Sequence, residues 1–202
     1  ISRPQCARAT ASGRVAVVLL VAATLVLPFV VWGFRTYQLA FAATHAIAIL
    51  GLNLIPGQAG LISLGHGAFY GLGAYALAVL MRHAGASAYA GIARAGVVCL
   101  VAGYLFGRLV SRLARFYLAL ATFALALAMP QTLKSSYLAP WTGGAQGVYL
   151  DRPGVPLGLP LDQDQWWYFV TLGILGLGLW IARNLLAGRT GRAIRAMRDH
   201  SI

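Results

Sequence analysis

The chain alternates long apolar runs with short polar or basic segments. A helix that crosses the hydrocarbon core of a bilayer needs roughly 20 predominantly apolar residues. Six runs of the chain approach that length. The pattern therefore predicts an all-α fold, a polytopic transmembrane helical bundle with about six spans. The expected spans are residues 15–33, 37–55, 61–81, 95–110, 116–133 and 166–182.

The basic residues indicate how such a bundle is oriented. Segments on the cytoplasmic side of a membrane are enriched in Lys and Arg. With the N-terminus inside, the inner segments hold eleven basic residues and the outer segments five, which accounts for all sixteen. An N-in, C-in topology is therefore favoured. The inner group is Arg3, Arg8, Arg14, Arg108, Arg112, Arg115, Arg183, Arg189, Arg192, Arg195 and Arg198; the outer group is Arg35, Arg82, Arg94, Lys134 and Arg152.

The segment 134–165, between the fifth and sixth spans, is long and rich in Gly, Pro and Trp. In the N-in topology it forms an extracytoplasmic loop. Trp and Tyr residues flank it, as is common where helices end at the headgroup level. The loop is either a simple connector or a folded cap, and the TGG-x-x-G sequence at 142–147 is compatible with a cap.

The stretch from Gly51 to Tyr75 reads GLNLIPGQAGLISLGHGAFYGLGAY and combines apolar residues with polar ones. Unpaired polar groups are costly in hydrocarbon, so polar side chains within spans usually face other helices or a polar path. An anchoring span has no need of them. The candidates for such a translocation path are Asn53, Gln58, Ser63 and His66.

The same stretch contains a predicted break in the helix. Proline lacks the N–H that a helix needs, and glycine tolerates unusual backbone angles, so Pro56, Gly57 and Gly60 indicate either a cytoplasmic turn or an intramembrane break. In the turn interpretation, Asn53 and Gln58 act as caps. Further along, Gly67 and Gly71 form a small-xxx-small pair that is typical of close helix packing.

The C-terminal segment 188–202 carries arginine at every third position, with small and apolar residues between them. On a helix this spacing predicts a basic stripe beside an apolar patch. Taken alone, the segment is a basic flank attracted to anionic lipid, or a helix that docks on another subunit. The candidate residues are Gly191, Arg192, Ala193, Arg195, Ala196 and Arg198.

Composition narrows the functional class. The chain is 59% hydrophobic and 10% charged, whereas soluble domains carry roughly 25% charged residues. Its net charge of +12 is distributed between apolar runs rather than along one patch, which argues against nucleic-acid binding. The sequence has no nucleophile–base constellation, no metal-ligand spacing and no G-x-x-x-x-G-K-[ST] phosphate-binding loop. We therefore expect a protein that is not an enzyme and binds no cofactor or metal.

Three segments resemble the permeases of branched-chain amino-acid ABC transporters, and the first is most similar to the M-type members of that family. The first segment is GQAGLISLGHGAFYGLGAY within the stretch described above. The second is FYLALATFALA at 116–126, followed by WTGGAQGV at 141–148. The third, GRTGRAIRAMRDHSI at 188–202, resembles the cytoplasmic loop that meets the ATPase. The segments occur in the family's order and cover most of the chain from about residue 37.

The resemblance implies a single transmembrane permease domain over residues 1–202, in which 188–202 is a coupling segment. It further implies import across the bacterial inner membrane, with ATP used by two partner ATPase subunits. The other expected partners are a second, H-type permease, an extracytoplasmic substrate-binding protein and membrane lipid. Members usually continue beyond this point with further spans, so we expect the sequence to be a fragment.

Alternatives stay open at this point. Similar permeases import urea, amides or other amino acids. An ion-coupled secondary transporter would also have polar broken helices, but it would be expected to carry acidic residues within its spans, and none of the six spans contains Asp or Glu. A non-transporting membrane scaffold is the third possibility.

Overall fold

The computed structural model describes residues 11–31, 33–54, 64–85, 87–110, 115–150, 153–155, 160–188 and 191, with the side chains of 11–14 and 115–116 excepted. The chain divides into two compact units, residues 1–44 with 155–175, and residues 45–154 with 176–202.

The described residues form seven α-helices and no strand. A 3-10 turn, Gly144–Gln146, follows the sixth helix. The helices are α1 (Ala11–Val30), α2 (Phe34–Leu52), α3 (His66–Ala84), α4 (Ala88–Val110), α5 (Arg115–Lys134), α6 (Ala139–Thr142) and α7 (Gln163–Ala187).

The predicted spans and the observed helices agree in number and order, since each of the six spans coincides with one long helix. Two helices, α4 and α7, are long and apolar enough to cross a membrane by length and composition, and a shorter apolar stretch covers Val15–Val30 of α1. The helices α2, α3 and α5 have 19 or 20 residues. The all-helical expectation is therefore confirmed.

Several predicted boundaries differ from the observed helix ends, and the largest differences concern the third, fourth and sixth spans. The third span was expected to begin at residue 61, but Leu64 and Gly65 are not helical, because the Leu64 N–H donates to the Thr122 hydroxyl (3.1 Å) instead of to a helical carbonyl. The fourth was expected at residue 95, but α4 begins at Ala88, where the Ser87 carbonyl accepts from the Gly91 N–H.

The third boundary concerns the sixth span, expected at 166–182, since α7 extends from Gln163 to Ala187. Its N-terminus has one half of a capping box, in which the side chain of the third helical residue accepts from the N–H of the residue before the helix. The Asp162 N–H donates to Gln165 Oε1, and the Asp162 carboxylate accepts from the Gln163 N–H. The D-x-x-Q sequence at 162–165 was the available signal for this start.

In the first unit, side chains of α7 satisfy the backbone of α1. Pro28 lies inside α1, and because proline has no N–H, the carbonyl of Thr24 lacks its usual helical donor. The Tyr168 hydroxyl donates to that carbonyl (2.8 Å), and Gln165 Nε2 donates to the carbonyl of Pro28 (2.9 Å). These two bonds join α7 to α1.

In the second unit, α3 is central and packs against α4, α5 and α6. Close approach depends on glycines. A Cβ at Gly73 would lie 3.2 Å from the Cys99 sulfur of α4, and one at Gly91 would lie 2.7 Å from Leu77 Cδ1. The rings of Phe69 and Phe106 add an edge-on contact between α3 and α4, with centroids 5.9 Å apart.

The segment after α5 is folded rather than a simple connector in its described part. The buried Thr142 hydroxyl contacts the carbonyls of Leu133 and Leu138 (2.7 and 2.9 Å). Gly143, Gly144 and Gly147 have positive φ, which glycine adopts without steric cost. The ring of Trp141 lies 4.9 Å from that of His83 at the end of α3. Residues 139–146 thus pack on α3 and α5.

Candidate functional site

His66 is the first residue of α3 and packs directly on the backbone of α2. A Cβ built on Gly51 would lie 2.7 Å from Cε1 of the His66 ring, closer than real side chains approach one another. Only glycine at position 51 therefore leaves room for the His66 ring. Asn53 follows the end of α2 by one residue and is exposed.

Thr122 of α5 anchors the residues that precede α3. Its side chain is 4% exposed, and its hydroxyl accepts from the Leu64 N–H while donating to the Ala119 carbonyl (3.0 Å). A Cβ on Gly65 would meet Thr122 at 3.2 Å. The start of α3 is thus fixed by α5 on one side, and His66 contacts α2 on another. The sequence prediction missed Thr122, because nothing in an isolated Thr signals a partner 58 residues away.

Gly67 and Gly71 line an open groove between α3 and α5, with a volume of about 350 Å³. A Cβ on either glycine would meet nothing within 4 Å. Their predicted role as close-packing contacts therefore does not hold for the described helices. Close approach occurs instead at Gly65, which precedes α3 and meets Thr122 of α5, and at Gly73, which meets Cys99 of α4.

The groove is apolar along most of its length and has a polar end. Pro130 lies inside α5 and removes the N–H that would bond to the carbonyl of Ala126. Lys134, the last residue of α5, provides a cation. The remaining lining residues are Ala68, Tyr75, Met129 and Leu133. Such a combination of apolar walls with few polar groups is typical of small-molecule sites.

Several predicted site residues lie outside the described residues, namely Pro56, Gly57, Gln58, Gly60, Ser63, Arg192, Ala193, Arg195, Ala196 and Arg198. Whether residues 56–60 form a cytoplasmic turn or an intramembrane break therefore stays a prediction from the sequence. Of the coupling candidates, Gly191 is described. It is buried, and a Cβ there would collide with the Leu186 carbonyl. The backbone at Gly191 therefore lies close to Leu186 in the last turn of α7.

Comparison with known proteins identifies a family whose model matches most of the chain. The family model described as "Branched-chain amino acid transport system / permease component" matches residues 34–201. The chain is also 30% identical, over 181 residues, to the "High-affinity branched-chain amino acid transport system permease protein LivM" of Salmonella typhimurium (strain LT2) and to the protein of the same description from Escherichia coli (strain K12). Each alignment covers 78% of the chain and 42% of the relative, so the chain spans less than half the length of these relatives. No solved structure matches the chain.

Proposed function

Because the chain belongs to the family of permease components of branched-chain amino acid transport systems, we propose that it acts in an ABC importer that moves Leu, Ile and Val across a bacterial inner membrane. The observation that carries this proposal is the family match over residues 34–201, which includes five of the six long helices, α2 to α5 and α7. The relatives that it resembles are described as high-affinity permeases for this class of substrate.

In this proposal the six long helices are the six spans, with both ends inside. Helix lengths of 19 to 25 residues support it, since a span needs roughly 20 residues. The excess of basic residues in the inner segments supports the orientation. Residues 134–165 then face the extracytoplasmic side, where the folded segment around Thr142 would meet the substrate-binding protein.

The energy for transport would come from partners. The chain has no phosphate-binding loop of the ATPase type, so two separate ATPase subunits would hydrolyse ATP, and a second, H-type permease would complete the path. The segment 188–202 would couple this chain to an ATPase. The arginines at every third position of this segment support that role.

The path candidates remain Asn53, Gln58, Ser63 and His66. His66 supports this assignment, because it lies at the junction of α2 and α3. Its ring packs on Gly51 of α2, and the nearby Leu64 N–H donates to Thr122 of α5. A polar ring held at such a junction is more than an anchoring span requires. We propose that His66 makes an interhelical contact beside the path and takes no part in proton transfer.

Two alternatives differ in a measurable way. A related permease for urea or amides would share the fold and the ATPase partners but would take an uncharged substrate. An ion-coupled transporter or a membrane scaffold would have no ATPase partner. The six long helices contain one acidic residue, Asp164 in the first turn of α7. Acidic residues deeper inside spans are common in ion relays, so the ABC proposal is favoured over the ion-coupled one.

Co-purification tests the class. Tagged protein is extracted from its own host in mild detergent, and the retained subunits are identified by mass spectrometry. The proposal expects an ATPase and a second permease in stoichiometric amounts. Recovery of neither would overturn it. A complex that takes up labelled urea but not leucine would replace the substrate while keeping the class.

A further inference from the structure

One side of α2 is exposed at every fourth position through its second half. The residues are His45, Ile49 and Asn53, the last of which follows the helix by one residue. Residues four apart lie on the same side of a helix, so these three side chains form one row, the His45 row. The six residues between them are all less exposed. Within the second unit, the described residues therefore leave this side of α2 uncovered.

His45 lies close to the middle of α2. It is the twelfth of the 19 residues, which places it about 3 Å from the centre of the helix axis. In the proposed topology α2 spans the bilayer, so the imidazole ring lies deep in the membrane. Ionisable side chains at that depth are costly against lipid and almost always face the interior of a bundle or a water-filled cavity. The His45 row is therefore unsuited to hydrocarbon.

Helix α3 adds a second polar ring beside this row. The rings of His45 and Tyr70 have centroids 6.3 Å apart, and 48% of the Tyr70 surface is exposed. An imidazole ring and a phenol hydroxyl can each donate a hydrogen bond. Ile49, which follows His45 by about one helical turn, adds an exposed aliphatic side chain. Two helices thus bring hydrogen-bond donors and an apolar side chain to one exposed surface.

The exposed side of α4, in the same unit, has a different chemistry. Over residues 95–107, every exposed residue is glycine or an aliphatic residue except Tyr104. Leu100, near the middle of this helix, is 71% exposed. Lipid tails are as apolar as leucine, so such a surface needs no polar partner. The second unit therefore has a side that is compatible with lipid, on α4, and another that is not, at the His45 row.

We propose that the His45 row and Tyr70 line the substrate path, on the side that the second permease completes. The inference rests on the proposed function, and it adds His45, Ile49 and Tyr70 to the path candidates. The surface is complementary to an apolar amino acid. The imidazole and phenol groups can donate hydrogen bonds to its carboxylate, and Ile49 can contact its aliphatic side chain.

The first test uses the wild-type complex in proteoliposomes, so it does not depend on how a variant folds. Hydroxyl radicals formed from water by an X-ray pulse oxidise the tyrosines that water reaches, and mass spectrometry gives the rate at each position. Tyr104 is the matched control, because it is 64% exposed and lies about 9 Å from the end of α4, against about 6 Å between Tyr70 and the start of α3. Tyr70 should be oxidised severalfold faster. Equal rates, or a faster rate at Tyr104, would overturn the path assignment.

A second test examines the aliphatic member of the row. Ile49→Cys and its control Leu105→Cys are made in a background in which Cys6 and Cys99 are replaced by Ala. Ile49 and Leu105 are matched in exposure, at 56% and 60%, and lie about 5 and 8 Å from the ends of α2 and α4. A charged, membrane-impermeant methanethiosulfonate reacts with the thiolate, which forms in water and not in apolar surroundings, so Ile49→Cys should react about tenfold faster or more.

The same variant connects this surface to transport. With binding protein and ATP present, saturating leucine should slow the reaction of Ile49→Cys, and the completed reaction should block leucine uptake. A fast reaction that leucine does not slow, and that leaves uptake intact, would place Ile49 in a water-filled crevice outside the path. That result would overturn the proposal.

The outcomes separate the two proposals. A wild-type complex that takes up no leucine contradicts the proposed function itself. A complex that takes up leucine, but in which either matched pair reacts at equal rates, contradicts only the path assignment. In that case lipid or a closely packed helix of the second permease covers the His45 row.

Discussion

The hydroxyl of Tyr168 donates a hydrogen bond to the carbonyl of Thr24, at 2.8 Å, and thereby replaces the donor that Pro28 removes from α1. Tyr168 is 4% exposed. The hydrocarbon core of a membrane contains no water that could donate a hydrogen bond to an unsatisfied carbonyl. The proline in α1 and the tyrosine in α7 are therefore two parts of one arrangement, and each explains why the other is tolerated.

Replacing Tyr168 by Phe should lower the free energy of unfolding by about 1–2 kcal/mol, because it removes this bond and leaves the carbonyl unpaired. The substitution Pro28→Ala restores a backbone N–H at position 28 that can donate to the Thr24 carbonyl, so in that background Tyr168→Phe should cost less than half as much. Denaturant titration in detergent micelles measures both values. Equal costs in the two backgrounds would show that Tyr168 does not compensate for Pro28.

Gly51→Ala should destabilise the protein by about 1 kcal/mol, since the new methyl group meets the His66 ring and one of the two must move. Removing the ring with His66→Ala should reverse the sign, because alanine is a better helix former than glycine by up to about 1 kcal/mol. Gly96→Ala in α4 is the control, as its Cβ would meet nothing within 4 Å. A loss of stability for Gly51→Ala in both backgrounds would contradict the contact.

Thr122→Val should cost about 1–3 kcal/mol, because it leaves the N–H of Leu64 without an acceptor. Thr122→Ser keeps the hydroxyl and should cost clearly less. Amide hydrogen exchange provides a local measurement, since exchange at Leu64 and the first turn of α3 should accelerate in the valine variant but not in the serine variant. Unchanged exchange in both variants would remove Thr122 from its anchoring role.

Replacing the C-terminal arginines tests whether residues 188–202 couple the chain to an ATPase. Joint replacement of Arg192, Arg195 and Arg198 by Ala should weaken retention of the ATPase by about tenfold or more, as expected when anchoring arginines of an interface are lost. The matched control is Arg183→Ala, an exposed residue of α7. If the triple variant retains the ATPase but binds anionic vesicles less well, the segment is a lipid-attracted flank instead.

The long helices could be predicted from the sequence because each needs only a continuous apolar run. Their ends were harder to predict. Arg94 interrupts the run of α4, yet it is exposed, so the helix passes through it and begins at Ala88. Leu64 is apolar enough to belong to α3, but its N–H bonds to Thr122. Such partners are distant in the sequence and leave no periodic signal.

The candidate site was predicted in part. Polar residues in an apolar segment pointed to the junction of α2 and α3, and His66 lies there. The groove was missed because it depends on α3 lying beside α5, which no local pattern indicates. Lys134 was interpreted only as an outer basic residue. Pro130 is a local sequence signal of an open carbonyl at Ala126 in α5.

The most direct test of the central claim, that this chain forms part of an ATP-driven path for branched-chain amino acids, is leucine uptake by proteoliposomes containing the purified complex and the binding protein. The account predicts uptake that requires internal ATP, competes with isoleucine and valine, and persists after ionophores collapse all ion gradients. An assembled complex that shows no ATP-dependent leucine uptake, or uptake driven by an ion gradient without ATP, would contradict it.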